Sequence, residues 1–123
     1  MIATWPADTA AEPFARALVE ARLAACVHVL AVGRSFYRWQ GAVEEAAERQ
    51  LVIKTTRARV AEVQASLVAA HPYDLPELLV CDAEGSRAYA AWLHDSVAPN
   101  PAEQRAVATE GGAANPVPGR DRR

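Results

Sequence analysis

The sequence predicts an α+β domain, and three patterns in it support that prediction. Two segments with apolar residues at helical spacing, 12–25 and 56–70, alternate with segments rich in β-branched and aromatic residues. Between the two, the dipeptide Gln40-Gly41 separates two strand-like patterns and is typical of a tight turn. Hairpins combined with helical crossovers predict a ferredoxin-like (split βαβ) sandwich with a long central β-hairpin and an extra C-terminal helix.

The N-terminal part of the sequence fits this plan with one strand and one helix. Residues 1–5 are predicted to form a short strand that Pro6 ends. Thr9 and Glu12 have the spacing of a capping box, and Pro13 lies in the first turn, where its missing N–H costs least. The apolar face of this helix is predicted to consist of Phe14, Ala17, Leu18, Ala21 and Ala25.

The central hairpin is predicted from the alternation of side chains between two faces. Residues 26–39 alternate and end in an aromatic-rich stretch, in which Gly33 is interpreted as a bulge or bend. Residues 50–55 are predicted as a second strand. The acidic stretch 44–49 is either the outer part of the hairpin or a loop, and the sequence leaves both open.

The remaining elements follow in the order helix, strand, helix. Thr56 is predicted to cap the second helix, and residues 76–81 are predicted to form the next strand. Gly85-Ser86 begins a third helix. The face of the second helix is predicted to contain Val60, Val63, Leu67 and Ala70, and that of the third Tyr89, Trp92, Leu93 and Val97.

Composition and charge narrow the classes of function. The chain has 123 residues and a formal net charge of −2, which argues against binding to a nucleic-acid backbone. Its apolar runs are shorter than the ~20 residues that span a bilayer, and no signal peptide opens the sequence, so a cytoplasmic protein is expected. Residues 1–98 are predicted to form one domain, and 99–123, which lack periodicity, a disordered tail.

A seven-residue connector between the second helix and the next strand is the strongest candidate for a site. The segment from His71 to Glu77 places an imidazole, a phenol and two carboxylates around two prolines. Each proline fixes its own φ and restricts the residue before it, so the segment is not helix interior. It is predicted to hold its polar groups in fixed directions.

Several segments together resemble the CutA family of divalent-cation tolerance proteins, in the order and near the spacing of that family. They extend over residues 1–97, and together they are specific. The matching stretches are residues 17–20, 22–27, 35–41 (Ser-Phe-Tyr-Arg-Trp-Gln-Gly), Glu48, 53–55 (Ile-Lys-Thr), 71–73 (His-Pro-Tyr), 76–77 (Pro-Glu), Tyr89 and 92–93 (Trp-Leu).

The resemblance implies a ferredoxin-like trimer, similar in architecture to PII-type signalling proteins and assembled through the strands of the long hairpin. An exposed aromatic hairpin independently points to a homo-oligomer, because such a ribbon needs a partner surface. The resemblance also implies a role in divalent-metal tolerance, copper above all, with ligand sites in clefts between subunits. Ala3 departs from the pattern, because some members carry a cysteine there that has been proposed as a copper ligand.

Two residues are candidate metal ligands, and each has a plainer alternative. The imidazole of His71 suits copper or zinc, but His71 is equally placed to cap the preceding helix. Cys26 is a soft potential ligand at a helix–strand junction, but free cysteine is more often a small buried apolar residue. Cu²⁺ or another divalent cation, weakly bound, is therefore the expected cofactor if there is one.

A second set of residues is assigned to an intersubunit cleft. The set combines aromatic side chains with a strand-borne lysine and a carboxylate, and the aromatic members also suit a plain packing interface. Lys54 and Glu77 are interpreted as a pair, as ligand-binding groups or as solvated charges. The assigned residues are Tyr37, Trp39, Lys54, Tyr73, Glu77 and Trp92.

The sequence therefore favours a non-enzymatic, cytoplasmic homotrimer that responds to metal ions, without a nucleic-acid or membrane partner. Three alternatives remain open: a PII-like sensor of a small molecule, a trimeric scaffold for a partner protein that the sequence does not identify, and an enzyme using Lys54 and Glu77 as acid and base.

Overall fold

The computed structural model describes residues 1–100 together with residues 102 and 105. The predicted order of strands and helices is confirmed, and most of the predicted tail lies outside the described residues. The elements are β1 (Ile2–Pro6), α1 (Glu12–Glu20), β2 (Cys26–Val29), β3 (Gly33–Trp39), β4 (Ala42–Lys54), a 3-10 turn (Arg57–Arg59), α2 (Val60–Ala70), β5 (Leu78–Leu79) and α3 (Arg87–Val97).

The strands form one antiparallel sheet in the order β2-β4-β1-β5, and β3 pairs with the outer part of β4. Because β1 and β2 both run antiparallel to β4, they are parallel to each other with β4 between them. Helix α1 connects them, which is the split βαβ arrangement. The ferredoxin-like α+β prediction is confirmed.

The hairpin contains a bulge where the sequence indicated a bend. Val29 lies opposite Leu51, and Gly33 lies opposite Glu48. Three residues, 30–32, therefore face only two on β4, and this extra residue separates β2 from β3. The acidic stretch 44–49 is strand rather than loop.

The hydrophobic core lies between the sheet and helices α1 and α2. Trp5 stacks on Phe14 with ring centroids 5.0 Å apart, which fixes α1 against β1. The alternate residues of β4 that face the helices, Leu51 and Ile53, are buried, and each contributes about 2–3 kcal/mol by leaving water. The other core residues include Ala3, Ala11, Leu18, Ala24, Val63 and Leu67.

The predicted end of α1 is wrong. The helix ends at Glu20 instead of continuing to Ala25, because Arg22 adopts the left-handed conformation at φ 58° and the Leu23 N–H donates back to Leu18 O. Of the face predicted for this helix, Ala17 and Ala21 are exposed.

Two predicted helix caps are also wrong, whereas the predicted start of α3 is confirmed. The Thr9 hydroxyl donates to Asp8 and not to the helix, which begins after Ala11. Thr56 precedes a 3-10 turn and makes no capping bond. Ser86 does cap α3, since its Oγ accepts from the Tyr89 N–H at 3.4 Å.

The face predicted for α3 is only partly buried. Val97 packs inside, but Tyr89 and Trp92 are 42% and 48% exposed, with their rings 5.4 Å apart. Strand β5 is shorter than predicted, at Leu78–Leu79. Among the described residues no helix is long and apolar enough to cross a bilayer.

Candidate functional site

A cleft of about 950 Å³ lies between the hairpin and the connector that joins α2 to β5. Its volume is that of a small-molecule site. One wall comes from β3, β4 and β1, and the other comes from the connector. The described residues that line it are Thr4, Ser35, Phe36, Tyr37, Trp39, Gln40, Glu48, Gln50, Pro72, Tyr73, Asp74, Leu75 and Glu77.

The pleat of the hairpin explains how the strand wall forms. Ser35, Tyr37 and Trp39 are two residues apart and point to the same face of β3. The register that pairs Gly33 with Glu48 places Glu48 on that same face, because paired residues share a side of the sheet. Gln50 extends the face toward β1.

A buried carboxylate and a phenol meet inside the cleft. Glu48 is 8% exposed, although it belongs to the acidic stretch of an otherwise exposed hairpin. Burial and the neighbouring Glu48 carboxylate raise the pKa of Tyr73 to about 12 from its ordinary 10.0. The Tyr73 hydroxyl therefore keeps its proton beside the Glu48 carboxylate, where the connector approaches the hairpin.

His71 lies behind the cleft and holds the start of the connector. Its Nε2 donates to Thr4 O at 2.7 Å, and its Nδ1 accepts the Tyr73 N–H at 3.0 Å. The ring is buried and packs against Trp5 in an edge-to-face arrangement, with the ring centroids 4.8 Å apart. Both ring nitrogens thus have partners within the chain, and the bond from the Tyr73 N–H fixes the backbone of the connector at Tyr73.

The fold of the single chain does not bring the two predicted metal ligands together. Cys26 begins β2 opposite Lys54, whereas His71 contacts β1, and β4 lies between those two strands. Within the described residues no group of three or more His, Cys, Asp or Glu side chains could hold a metal ion.

Four of the six residues predicted for an intersubunit cleft line this cleft of the single chain: Tyr37, Trp39, Tyr73 and Glu77. The other two lie elsewhere in the single chain. Lys54 is exposed at the end of β4, and no ion pair of the described residues includes it. Trp92 lies on α3 beside Tyr89.

Glu48 is the residue of the cleft that sequence reasoning undervalued, because an acidic stretch is usually a solvated strand edge. The alternation of side chains along the strand did indicate the face on which Glu48 lies. Glu48 is two residues from Gln50 and four from Val52, so in a continuous strand it shares their face rather than that of Leu51. Its neighbour in the cleft, Tyr73, comes from a distant part of the sequence.

A ferredoxin-like sheet with an extended hairpin and a cleft beside it defines a PII-like α+β protein. The family model described as CutA1 divalent ion tolerance protein matches residues 1–96. The chain belongs to this family.

Individual relatives agree with that assignment. The divalent-cation tolerance protein CutA of Thermus thermophilus is 41% identical over 97 residues, which cover 78% of this chain and 94% of that protein. The solved structure of CutA from Xylella fastidiosa is 41% identical with a TM-score of 0.74, covering 79% of this chain and 94% of that one. The PII-like protein CutA of Nostoc sp. PCC 7120 is 28% identical with a TM-score of 0.72, covering 79% and 94%.

Proposed function

We propose that this protein acts in divalent-cation tolerance as a homotrimer whose working site is the cleft, where a small ligand or a cation binds. Family membership supports the biological role, since the relatives are named for divalent-cation tolerance. The size of the cleft and the PII-like likeness support binding of a small molecule there.

The exposed hairpin is the observation that carries the oligomeric part of the proposal. Phe36 and Val43 are 68% and 67% exposed in the single chain, on a strand pair that projects from the sheet. Large apolar side chains on a projecting ribbon favour association with another surface. Phe36 also lines the cleft, so a subunit that covered the hairpin would help to close the cleft.

The proposed role contains no catalytic step. An enzyme using Lys54 and Glu77 gains no support from the structure, because Lys54 does not line the cleft that contains Glu77. The cytoplasmic location expected from the sequence stays a prediction.

Metal binding at His71, with Cys26 or Glu77 as co-ligand, also stays a prediction. A metal ion at either ring nitrogen must replace the hydrogen bond to Thr4 O or the one from Tyr73 N–H. Imidazole and thiolate ligands bind in their deprotonated forms, so affinity for Cu²⁺ should fall at low pH.

Light scattering and calorimetry test the proposal on the full chain. At micromolar concentration we expect three times the mass of one chain, and a monomer would contradict the proposal. Titration with CuCl₂ of the wild type, His71→Ala and Cys26→Ser then tests the metal ligands, with thermal unfolding measured first to show that each variant folds. Unchanged Cu²⁺ affinity in both variants would remove these residues from the metal site.

A further inference from the structure

A buried carboxylate without a cationic partner distinguishes the cleft. Glu48 is more than nine-tenths buried and lines the cleft, yet no ion pair in the described part of the chain includes it. The Tyr73 hydroxyl beside it is uncharged and compensates for that burial only in part. A carboxylate removed from water is costly unless a positive charge or several donors compensate it. Glu48 is thus available to form an ion pair with a cation that binds in the cleft.

The other charged side chains that line the cleft are also negative. Asp74 and Glu77 add two carboxylates at the connector wall, and none of the described lining residues is Lys, Arg or His. Phosphates and nucleotides are bound by arginine and lysine side chains, which this lining lacks. The ligand that matches the lining is therefore positively charged.

Aromatic rings distinguish an organic cation from a metal ion. Phe36, Tyr37, Trp39 and Tyr73 all line the cleft. The faces of such rings attract ammonium groups, above all substituted ones that are weakly hydrated. A divalent metal instead requires several ligand atoms close together, and the described residues hold no group of three acidic, His or Cys side chains.

We propose that the cleft binds an organic ammonium cation, with the Glu48 carboxylate as counter-ion and the aromatic side chains of the hairpin and connector as walls. This inference rests on the proposed function, in which the cleft is the working site, and it specifies the chemical class of the ligand. Tyr73 contributes to the site as one of these aromatic walls, next to the Glu48 carboxylate.

Matched probes test the charge of the ligand. The full chain is titrated calorimetrically with choline chloride, with its uncharged carbon isostere dimethylbutanol and with sodium phosphate. We expect choline to bind at least about tenfold more tightly than the isostere, because only choline carries the charge that Glu48 and the rings attract. Equal binding of the two, tighter binding of phosphate, or no binding of choline up to ~10 mM would overturn the proposal.

Matched variants test the site. Glu48→Gln keeps the shape and removes the charge, and we expect about tenfold weaker binding of choline. Glu62→Gln removes an exposed carboxylate of α2, which pairs with Arg59 outside the cleft, and should leave binding unchanged. If Glu48→Gln does not fold, Trp39→Leu provides the second variant, because it removes an aromatic wall and retains Glu48. Wild-type affinity in a folded Glu48→Gln or Trp39→Leu variant would contradict the proposal.

The two proposals fail in different ways. Light scattering on the same samples reports the trimer, whereas the titrations report the ligand class. A trimer that ignores choline contradicts only the ammonium site. A monomer contradicts the proposed assembly, and its titration still tests the site, because every residue invoked lies in one chain.

Discussion

At the scale of single residues, Tyr73 connects the chemistry of the cleft to the stability of the fold. Its phenol lies beside Glu48, and burial together with this neighbouring carboxylate raises its pKa to about 12. Its backbone N–H donates to His71 Nδ1, so one residue joins the hairpin, the connector and the buried histidine. A change at Tyr73 should therefore affect both stability and the cleft.

The raised pKa gives a prediction with a definite sign. Between pH about 10 and about 12 the unfolded chain releases the Tyr73 proton while the folded chain keeps it, so the free energy of unfolding falls as pH rises through this window. Below pH about 10 the contribution is fully present. Urea unfolding of the wild type and Tyr73→Phe at several alkaline pH values measures the difference. If both lost stability equally across this window, the Tyr73 hydroxyl would not be the group responsible for the loss.

Residue identities in the site were only partly predictable. The two prolines and the His-Pro-Tyr stretch indicated a rigid connector, and Tyr73 and Glu77, predicted for an intersubunit cleft, line the cleft of the single chain. The partners of His71 were not predictable, because Thr4 is 67 positions away in sequence. Hydrogen bonds of that kind depend on how β1 and the connector meet in three dimensions, which local patterns do not contain.

At the scale of elements, the hairpin turn shows why one glycine is needed. Gln40 and Gly41 have φ values of 48° and 83°, and they connect the paired residues Trp39 and Ala42. Two consecutive positive φ values are those of a type I′ turn, whose twist matches the flanking strands. Gln40 is strained because a residue with a side chain rarely adopts positive φ. Gly41 adopts the second positive φ without that strain, because it has no Cβ.

Gly41→Val should destabilise the hairpin by about 1–2 kcal/mol, because a β-branched residue is strained at positive φ. The cost is conformational, since a Cβ at Gly41 would meet no atom within 4 Å. Gly33→Ala is the matched control, because a Cβ there would be 3.9 Å from Glu48 O, an ordinary contact. Thermal unfolding of both variants measures the difference, and equal melting temperatures would contradict this interpretation of the turn.

Elements with a strong local signal were predicted well, and elements fixed by tertiary packing were not. Gln40-Gly41 and Ser86 carry turn and cap chemistry in their own side chains and backbone. The end of α1 depends on Arg22 in a conformation that arginine rarely adopts. Strand β5 includes only Leu78 and Leu79, the two residues that pair with β1. Neither limit can be read from the periodicity of apolar residues.

At the scale of the whole molecule, the single chain leaves several large apolar side chains exposed. The fold was predictable because helical and strand patterns alternate clearly and the family resemblance covers residues 1–97. Trp92 and Tyr89 were predicted to face inward, and in the single chain they are about half exposed. Apolar periodicity identifies a face that will be covered, but it does not tell whether the cover comes from the same chain.

The exposed apolar side chains should therefore control assembly more than folding. Replacement of Phe36 or Trp92 by Asp places a charge on surfaces that the proposed trimer covers, so we expect light scattering to show dissociation at micromolar concentration. Circular dichroism should show the fold retained, because neither side chain belongs to the core of the single chain. Val68→Asp is the matched control, since Val68 is 58% exposed on the outer side of α2 and should leave the trimer intact. If Phe36→Asp and Trp92→Asp remained trimeric like this control, the hairpin and α3 would not form the interface, and the cleft would be a site of one subunit alone.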